Sequence, residues 1–152
     1  MAHITDVAAH ILDRRGPMTV MKLQKLCYYA YGYHLAWEGR PLFPEHFEAW
    51  ANGPVAPALY ALHRGRFRLA AGDIPGDPGR LDEGERESID IVLDGLGDLS
   101  AHDLSTMTHN EAPWVNARAR AGVGPLDRSS ERLDDEEIYT FFDALVSADG
   151  KA

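Results

Sequence analysis

The sequence predicts a mainly α-helical protein, a single compact helical domain of about six or seven helices with one small β-hairpin. Long stretches of the chain space their apolar residues as helices do, and capping residues precede several of these stretches. One short stretch, residues 46–50, alternates polar and apolar residues as a strand does, and a second strand could lie at residues 67–69. A chain of 152 residues has the size of one domain and can bury its own core.

The first helix is predicted to run from about Asp6 to Arg15. Its apolar residues recur on one face, as expected for a helix packed against a core. Thr5 is expected as the N-cap because its hydroxyl can accept a hydrogen bond from the first turn. Gly16 is expected to end the helix.

The second helix is predicted to lie at the centre of the fold. It begins after Thr19 and ends at about Glu38, and it is apolar on almost every side, which is typical of a helix covered by others. A glycine inside a helix costs about 1 kcal/mol relative to alanine. Gly32 therefore predicts that another backbone passes close to this helix.

A β-hairpin and a short helix are predicted next, because prolines interrupt the helical pattern after the second helix. Residues 46–50 (HFEAW) predict a strand. In residues 51–55 (ANGPV), Gly53 and Pro54 predict a structural turn between the hairpin and the short helix. That helix is expected to end at Gly65.

Four more helices are predicted in the second half of the chain. Capping boxes at residues 82–85 and 100–103 indicate the starts of two of them. Pro113 lies in the first turn of a third, where proline is well tolerated. Residues 134–137 are expected to cap the last helix, whose apolar residues have the spacing of a packed face.

The chain has a net charge of −9, and this charge is unevenly distributed. Residues 1–70 contain eight basic and five acidic side chains, whereas residues 71–152 contain seven basic and nineteen acidic ones. The acidic half would repel phosphate backbones, which argues against nucleic acid as the main partner. It would attract a basic protein surface.

The composition also argues against several other classes of protein. The single cysteine, Cys27, excludes an intramolecular disulfide framework and a multi-cysteine metal site. The N-terminal stretch lacks the apolar run of a signal peptide, and no stretch has the length and hydropathy of a membrane span. We therefore expect a cytoplasmic protein with no metal ion and no cofactor.

Two groups of side chains could support acid–base chemistry. One contains Glu45, His46 and Glu48, of which His46 and Glu48 would share a face of a strand, and the other contains His109 and Glu111. Neither is accompanied by a recognisable nucleophile, oxyanion hole or phosphate-binding loop. A stand-alone enzyme is therefore the weakest hypothesis, and no catalytic residue is assigned.

Two segments carry a resemblance to a known family. Residues 22–65 (KLQKLCYYAYGYHLAWEGRPLFPEHFEAWANGPVAPALYALHRG) resemble the signature of the Panacea domain, the family that also contains SocA-like and phage-associated GepA-like proteins. Residues 104–118 (LSTMTHNEAPWVNAR) are similar to a second element of that family. The resemblance covers about residues 5–146 and implies one Panacea-like domain over residues 1–152, with a short flexible C-terminal tail.

This resemblance implies a function that the search for catalytic motifs does not. Panacea-domain proteins typically act as antitoxins, so it implies a type II-like toxin–antitoxin pair in which this chain binds and neutralises a cognate toxin protein encoded nearby. An alternative, known for one branch, is a proteolytic adaptor that delivers the toxin to a ClpXP-type protease. The gene would be bacterial or carried by a phage or prophage, with a role in phage defence. No catalytic residue is carried over.

We predict a partner-binding set that is rich in tyrosine and tryptophan, the residues that dominate binding hot spots. Tyr29, Tyr33 and Trp37 recur every fourth residue and so form one stripe of the second helix. This stripe could pack inside the domain, or part of it could stay exposed to grip a toxin. The predicted set is Tyr29, Tyr33, Trp37, Trp50, Asn52, Val55, Tyr60, His109, Glu111 and Trp114. Four residues are predicted to have structural roles: Gly32, Gly53, Pro54 and Pro113.

Overall fold

The computed structural model describes residues 1–149, with the side chain of residue 149 left out. Within these residues the chain forms a compact, mainly α-helical fold of seven α-helices. They are α1 (Ile4–Arg15), α2 (Val20–Glu38), α3 (Pro57–His63), α4 (Glu83–Leu96), α5 (Ala101–His109), α6 (Ala112–Ala121) and α7 (Asp135–Asp149). Four short strands accompany them: β1 (Met18–Thr19), β2 (Glu48–Trp50), β3 (Gly53–Val55) and β4 (Arg68–Leu69). Residues 147–149 continue α7, and the rest of the predicted flexible tail, residues 150–152, lies outside the described residues.

Helix α1 begins two residues earlier than predicted, and the assignment of Thr5 as its N-cap is wrong. The helix starts at Ile4, and the N-cap position belongs to His3, whose backbone N–H donates to Asp6 Oδ2 at 2.8 Å. Asp6 reaches back to the cap because a carboxylate in the first turn satisfies a free backbone donor there. The end of α1 is confirmed, since Gly16 follows it with φ of +78°.

Helix α2 has the predicted bounds and is the centre of the fold. Thr19 Oγ1 accepts a hydrogen bond from the backbone N–H of Lys22 at 3.2 Å, and Gly39 ends the helix in the left-handed region with φ of +71°. The helix packs against α1, α4, α5, α7 and strand β3. Its apolar residues therefore meet neighbours on most sides, as the sequence predicts.

The atoms nearest to Gly32 belong to a side chain of the neighbouring helix α7. A Cβ atom at this position would lie 2.2 Å from Cε2 of Phe142, which α7 presents to α2. The Phe142 ring is fully buried and makes edge-on contacts with the rings of Tyr28, Tyr29 and Tyr33. Glycine allows α7 to approach α2 at this point.

The predicted hairpin is formed by β2 and β3, which pair antiparallel with Ala49 opposite Pro54. The prediction that Gly53 and Pro54 form a turn after the hairpin is wrong, because both residues lie in β3 itself and residues 51–52 form the turn. Residues 131–133, which precede α7, run antiparallel to the outer edge of β2 and form backbone hydrogen bonds with it. A second antiparallel pair, β1 with β4, joins the start of α2 to the chain after α3.

The predicted caps of the later helices are confirmed. Asp82 and Glu85 form the capping box of α4, and Ser100 and Asp103 form that of α5. Asp134 accepts a hydrogen bond from the backbone N–H of the third residue of α7 at 3.1 Å. None of the described helices is long and apolar enough to cross a lipid bilayer.

Candidate functional site

Side chains from three helices bind the backbone of the β2–β3 hairpin. They come from α2, α5 and α6, which carry much of the two segments that resemble the family signature, and the contribution of α5 is Ser105, whose hydroxyl donates to the carbonyl of Asn52. Most of them are polar side chains buried in an otherwise apolar region. We call the side of the hairpin that they contact the held face.

Helix α2 holds the end of β3 through two fully buried side chains, Gln24 and Lys25. The Gln24 amide pairs with the backbone of Ala56, accepting from its N–H at 2.9 Å and donating to its carbonyl at 3.3 Å. Lys25 Nζ donates to the carbonyl of Pro54 at 3.1 Å. Burial lowers the pKa of the Lys25 ammonium to about 7, because the apolar surroundings disfavour its charged form.

Gly53 is required on the held face for two reasons. Its φ of +114° lies in a region that residues with side chains rarely adopt. A Cβ atom here would also lie 2.7 Å from Cε of Lys25 and 2.8 Å from Oγ1 of Thr108. The hairpin can therefore approach α2 and α5 only because this position has no side chain.

Helix α6 holds β2 in the same manner. Trp114 Nε1 donates to the carbonyl of Trp50 at 2.8 Å, and Arg118 Nη1 donates to the carbonyl of Ala49 at 3.0 Å. The buried Arg118 guanidinium also donates to the carbonyls of residues 124 and 127, and its carbon lies 5.2 Å from the centre of the Trp114 ring. Pro113 is buried in the first turn of α6.

His109 and Glu111 have separate partners, and no hydrogen bond joins them among the described residues. The His109 ring stacks on Trp114 with ring centroids 4.3 Å apart, and burial lowers the pKa of His109. The Glu111 carboxylate lies 3.0 Å from the hydroxyl of Tyr29, which can donate to either of its oxygens. Burial raises the pKa of Glu111 to about 7, although the hydrogen bond from Tyr29 opposes this shift.

The second candidate acid–base group is also divided. His46 Nε2 lies 3.2 Å from Glu48 Oε2, although the observed strand β2 begins at Glu48 and leaves out residues 46 and 47 of the predicted strand. Glu45 instead accepts a hydrogen bond from the backbone N–H of Ile4 at 2.9 Å, at the start of α1. Within the described residues, no group of three or more histidine, cysteine or acidic side chains is placed to hold a metal ion.

The opposite side of the hairpin borders an open groove of about 750 Å³. The Trp50 and Tyr60 rings meet edge to face in this groove with centroids 4.8 Å apart, and Trp50 Nε1 donates to Glu48 at 2.9 Å. Asn52 at the hairpin turn is exposed, whereas Val55 is buried. We call this feature the hairpin groove, and its lining residues are Met21, Glu48, Trp50, Ala51, Asn52, Val55, Tyr60, Arg128, Ser129 and Ser130.

The ten predicted partner-binding residues therefore lie in three places. Trp50, Asn52, Val55 and Tyr60 line the hairpin groove. Tyr29, His109, Glu111 and Trp114 lie behind the hairpin, where Tyr29 and Trp114 are buried. Tyr33 and Trp37 stack on each other on α2 with centroids 5.2 Å apart, and Trp37 is 36% exposed.

Two features of this region were not predicted from the sequence. Gln24, Lys25 and Arg118 were not identified as residues that hold the hairpin, although a glutamine and a lysine within an apolar helix were a usable signal. Residues 128–130, which form one wall of the groove, gave no signal. These residues are distant from the hairpin in the sequence, and the folding of the chain brings them to the groove.

Comparisons with known proteins point to one family. The family model described as "Antitoxin SocA-like, Panacea domain" matches residues 23–115, a segment that includes the hairpin and most of the groove lining. Among curated proteins, the chain is similar to antitoxin SocA of Caulobacter vibrioides (strain NA1000 / CB15N), with 34% identity over 125 residues. The match covers 71% of this chain and 66% of that relative. No solved structure matches the chain.

Proposed function

Because the chain belongs to the family of SocA-like antitoxins with a Panacea domain, we propose that it binds a toxin protein directly through the hairpin groove and so neutralises the toxin. The observation that carries the proposal is the groove itself. Most of its lining lies within the family-matched part of the chain, and it places Trp50 and Tyr60 side by side at an open surface. These are the residue types that contribute most to protein–protein hot spots.

The hydrogen bonds of the hairpin restrict how a partner could bind there. On the outer edge of β2, the N–H of Ala49 donates to residue 131 at 2.8 Å, and the carbonyl of Phe47 accepts from residue 133 at 3.0 Å. On β3, Pro54 has no N–H and its carbonyl accepts from Lys25. A toxin therefore has little free backbone to which it could add a strand. We therefore expect the side chains in the groove to make the contacts with the toxin.

The same hydrogen bonds support binding rather than catalysis as the role of this region. The buried cationic side chains Lys25 and Arg118 are engaged with the hairpin backbone, and the two histidine–glutamate groups do not converge on a shared position. An antitoxin acts where its toxin is made, so we place the toxin–antitoxin pair in the cytoplasm of a bacterial cell. We also propose that the pair has a role in phage defence. The shared core of the described residues supports one Panacea-like domain over residues 1–152.

Co-expression tests this proposal. The chain and the product of the adjacent open reading frame are expressed together, and growth and co-purification are measured for the wild type and for the double variant Trp50→Ala/Tyr60→Ala. Ile91→Ala is the control, because Ile91 is a 47% exposed apolar residue of α4 that does not line the groove. We expect the wild type and the control to rescue growth and to retain the toxin, and the double variant to do neither.

Two results would contradict the proposal. Rescue that disappears in a strain lacking ClpXP would support the proteolytic adaptor instead of direct neutralisation. Rescue and retention by the double variant equal to those of the wild type would show that the toxin binds elsewhere on the surface.

A further inference from the structure

The turn after α3 exposes an aromatic ring among three arginines. Phe67 is 75% exposed, far more than any other aromatic side chain among the described residues. Arg64, Arg66 and Arg68 around it are all exposed. We call these four residues the arginine patch. None of them lines the hairpin groove.

The backbone of the arginine patch is held at both ends. Before it, the buried His63 lies 3.0 Å from Gln24, and its carbonyl accepts from the N–H of Arg66 at 2.9 Å. After it, the Phe67 carbonyl accepts from the N–H of Val20 at 2.9 Å, and β4 pairs with β1. The exposure of Phe67 is thus a property of the fold. Because the backbone is already ordered here, binding would cost little backbone conformational entropy.

The charge of the arginine patch is largely uncompensated. From Ala49 to Gly72 the chain contains no carboxylate side chain. Arg66 pairs with Asp73 at 3.2 Å. Arg64 and Arg68 form no ion pair with any described residue, and Arg68 instead donates to a backbone carbonyl at 3.5 Å. A concentrated positive surface therefore stands out on a protein whose net charge is −9.

We propose that the arginine patch is a second protein-binding surface, which takes an acidic segment of a partner protein that carries an apolar side chain. Guanidinium groups bind carboxylates in a bidentate geometry and tolerate partial desolvation. The exposed Phe67 ring, next to Arg66 and Arg68 in the chain, offers an apolar contact. The proposal depends on the patch alone and does not require the hairpin groove to bind a toxin.

A protein segment fits this surface better than a nucleic acid does. Single strands are usually gripped by several stacking rings along a basic groove, and this surface has one ring. A long polyanion would also extend beyond the patch into the field of a protein with a net charge of −9. A short acidic segment places its charges only against the arginines.

The test uses the full chain and a fluorescein-labelled peptide in which glutamates flank a single leucine, with binding followed by fluorescence anisotropy at low ionic strength. Arg64→Glu is compared with Arg80→Glu, a matched change at another exposed arginine without a described ion pair. Phe67→Ala tests the ring. A lysine version of the peptide and an oligothymidine of equal charge are the competing probes.

We expect Arg64→Glu and Phe67→Ala each to weaken binding of the acidic peptide about tenfold. Arg80→Glu should have less than about a twofold effect. All three variants should keep the melting temperature of the wild type, because the altered side chains are exposed. No binding of the acidic peptide by the wild type, equal losses in Arg64→Glu and Arg80→Glu, or tighter binding of the oligothymidine would each overturn the proposal. Toxin binding is measured separately, so failure of one proposal does not imply failure of the other.

Discussion

The two sides of the β2–β3 hairpin use similar residues for different purposes. On the held face, Lys25, Trp114 and Arg118 direct their polar groups to the hairpin backbone. On the groove side, Trp50 and Tyr60 meet each other beside an open space of about 750 Å³. We infer that much of the family signature serves to hold the hairpin in position. The surface available to a partner is the smaller part that the positioned hairpin presents.

The largest expected effect is on the held face, where Gly53→Ala should break the arrangement. It introduces a Cβ atom against Lys25 and Thr108 and forces an unfavourable φ, so we expect a loss of about 3 kcal/mol or more in the free energy of unfolding. Chemical denaturation of the wild type and the variant measures this loss. Gly72→Ala is the matched control, because Gly72 has φ of +87° but open space around it, and it should cost only about 1–2 kcal/mol. Equal losses at the two positions would mean that the contact with α2 and α5 is not tight.

A smaller loss is expected when Arg118 is replaced. Arg118→Met removes a buried guanidinium that donates to three backbone carbonyls, so it should lower the free energy of unfolding by about 2–3 kcal/mol. Arg120→Met changes the same residue type two positions away, where the guanidinium forms exposed ion pairs. Such pairs contribute less than about 1 kcal/mol. A similar effect of both substitutions would contradict the role assigned to the held face.

The buried amine of the held face predicts a pH dependence. Lys25 has a pKa of about 7 in the folded protein and 10.5 ordinarily, so above pH 7 the unfolded chain binds a proton that the folded one has released. Relative to Lys25→Met, the wild type should therefore gain stability as the pH rises from 7 towards 10.5, by up to about 1.4 kcal/mol per pH unit. Denaturation of both proteins at several pH values measures this difference. A difference that is flat or falls with pH would show that the ammonium remains charged.

Glu111 predicts the opposite sign in the adjacent pH range. Its pKa rises from 4.5 to about 7 on folding, so between these values the folded chain holds a proton that the unfolded chain has lost. Relative to Glu111→Gln, the wild type should lose stability as the pH rises from 4.5 to 7, by about 1 kcal/mol per pH unit or less. Denaturation of both proteins at several pH values in this range measures how their difference in unfolding free energy changes with pH. A difference that does not change with pH would mean that water reaches the Glu111 carboxylate.

The sequence was sufficient for features set by local interactions. The bounds of α2, the capping boxes of α4 and α5, and the hairpin follow from cap residues, spacing and proline positions. The neighbour of Gly32 did not follow, because Phe142 reaches it from a helix more than a hundred residues away.

The candidate site could be predicted only in part, for the same reason. Spacing alone did not separate Trp50 and Tyr60 in the groove from Trp114 behind the hairpin. Which side of a hairpin a residue occupies depends on the helices that pack against it. The groove wall at residues 128–130 likewise exists only after the chain has folded back.

We propose that the toxin binds the groove side of the hairpin and not its held face. Calorimetric titration of the purified toxin with the wild type, with Tyr60→Ala and with the control Ile91→Ala tests this proposal. We expect Tyr60→Ala to weaken toxin binding about thirtyfold, the equivalent of about 2 kcal/mol, while the free energy of unfolding of the variant falls by less than about 1 kcal/mol. Ile91→Ala should bind as the wild type does. Unchanged toxin affinity in a folded Tyr60→Ala protein would show that the toxin does not bind through the hairpin groove.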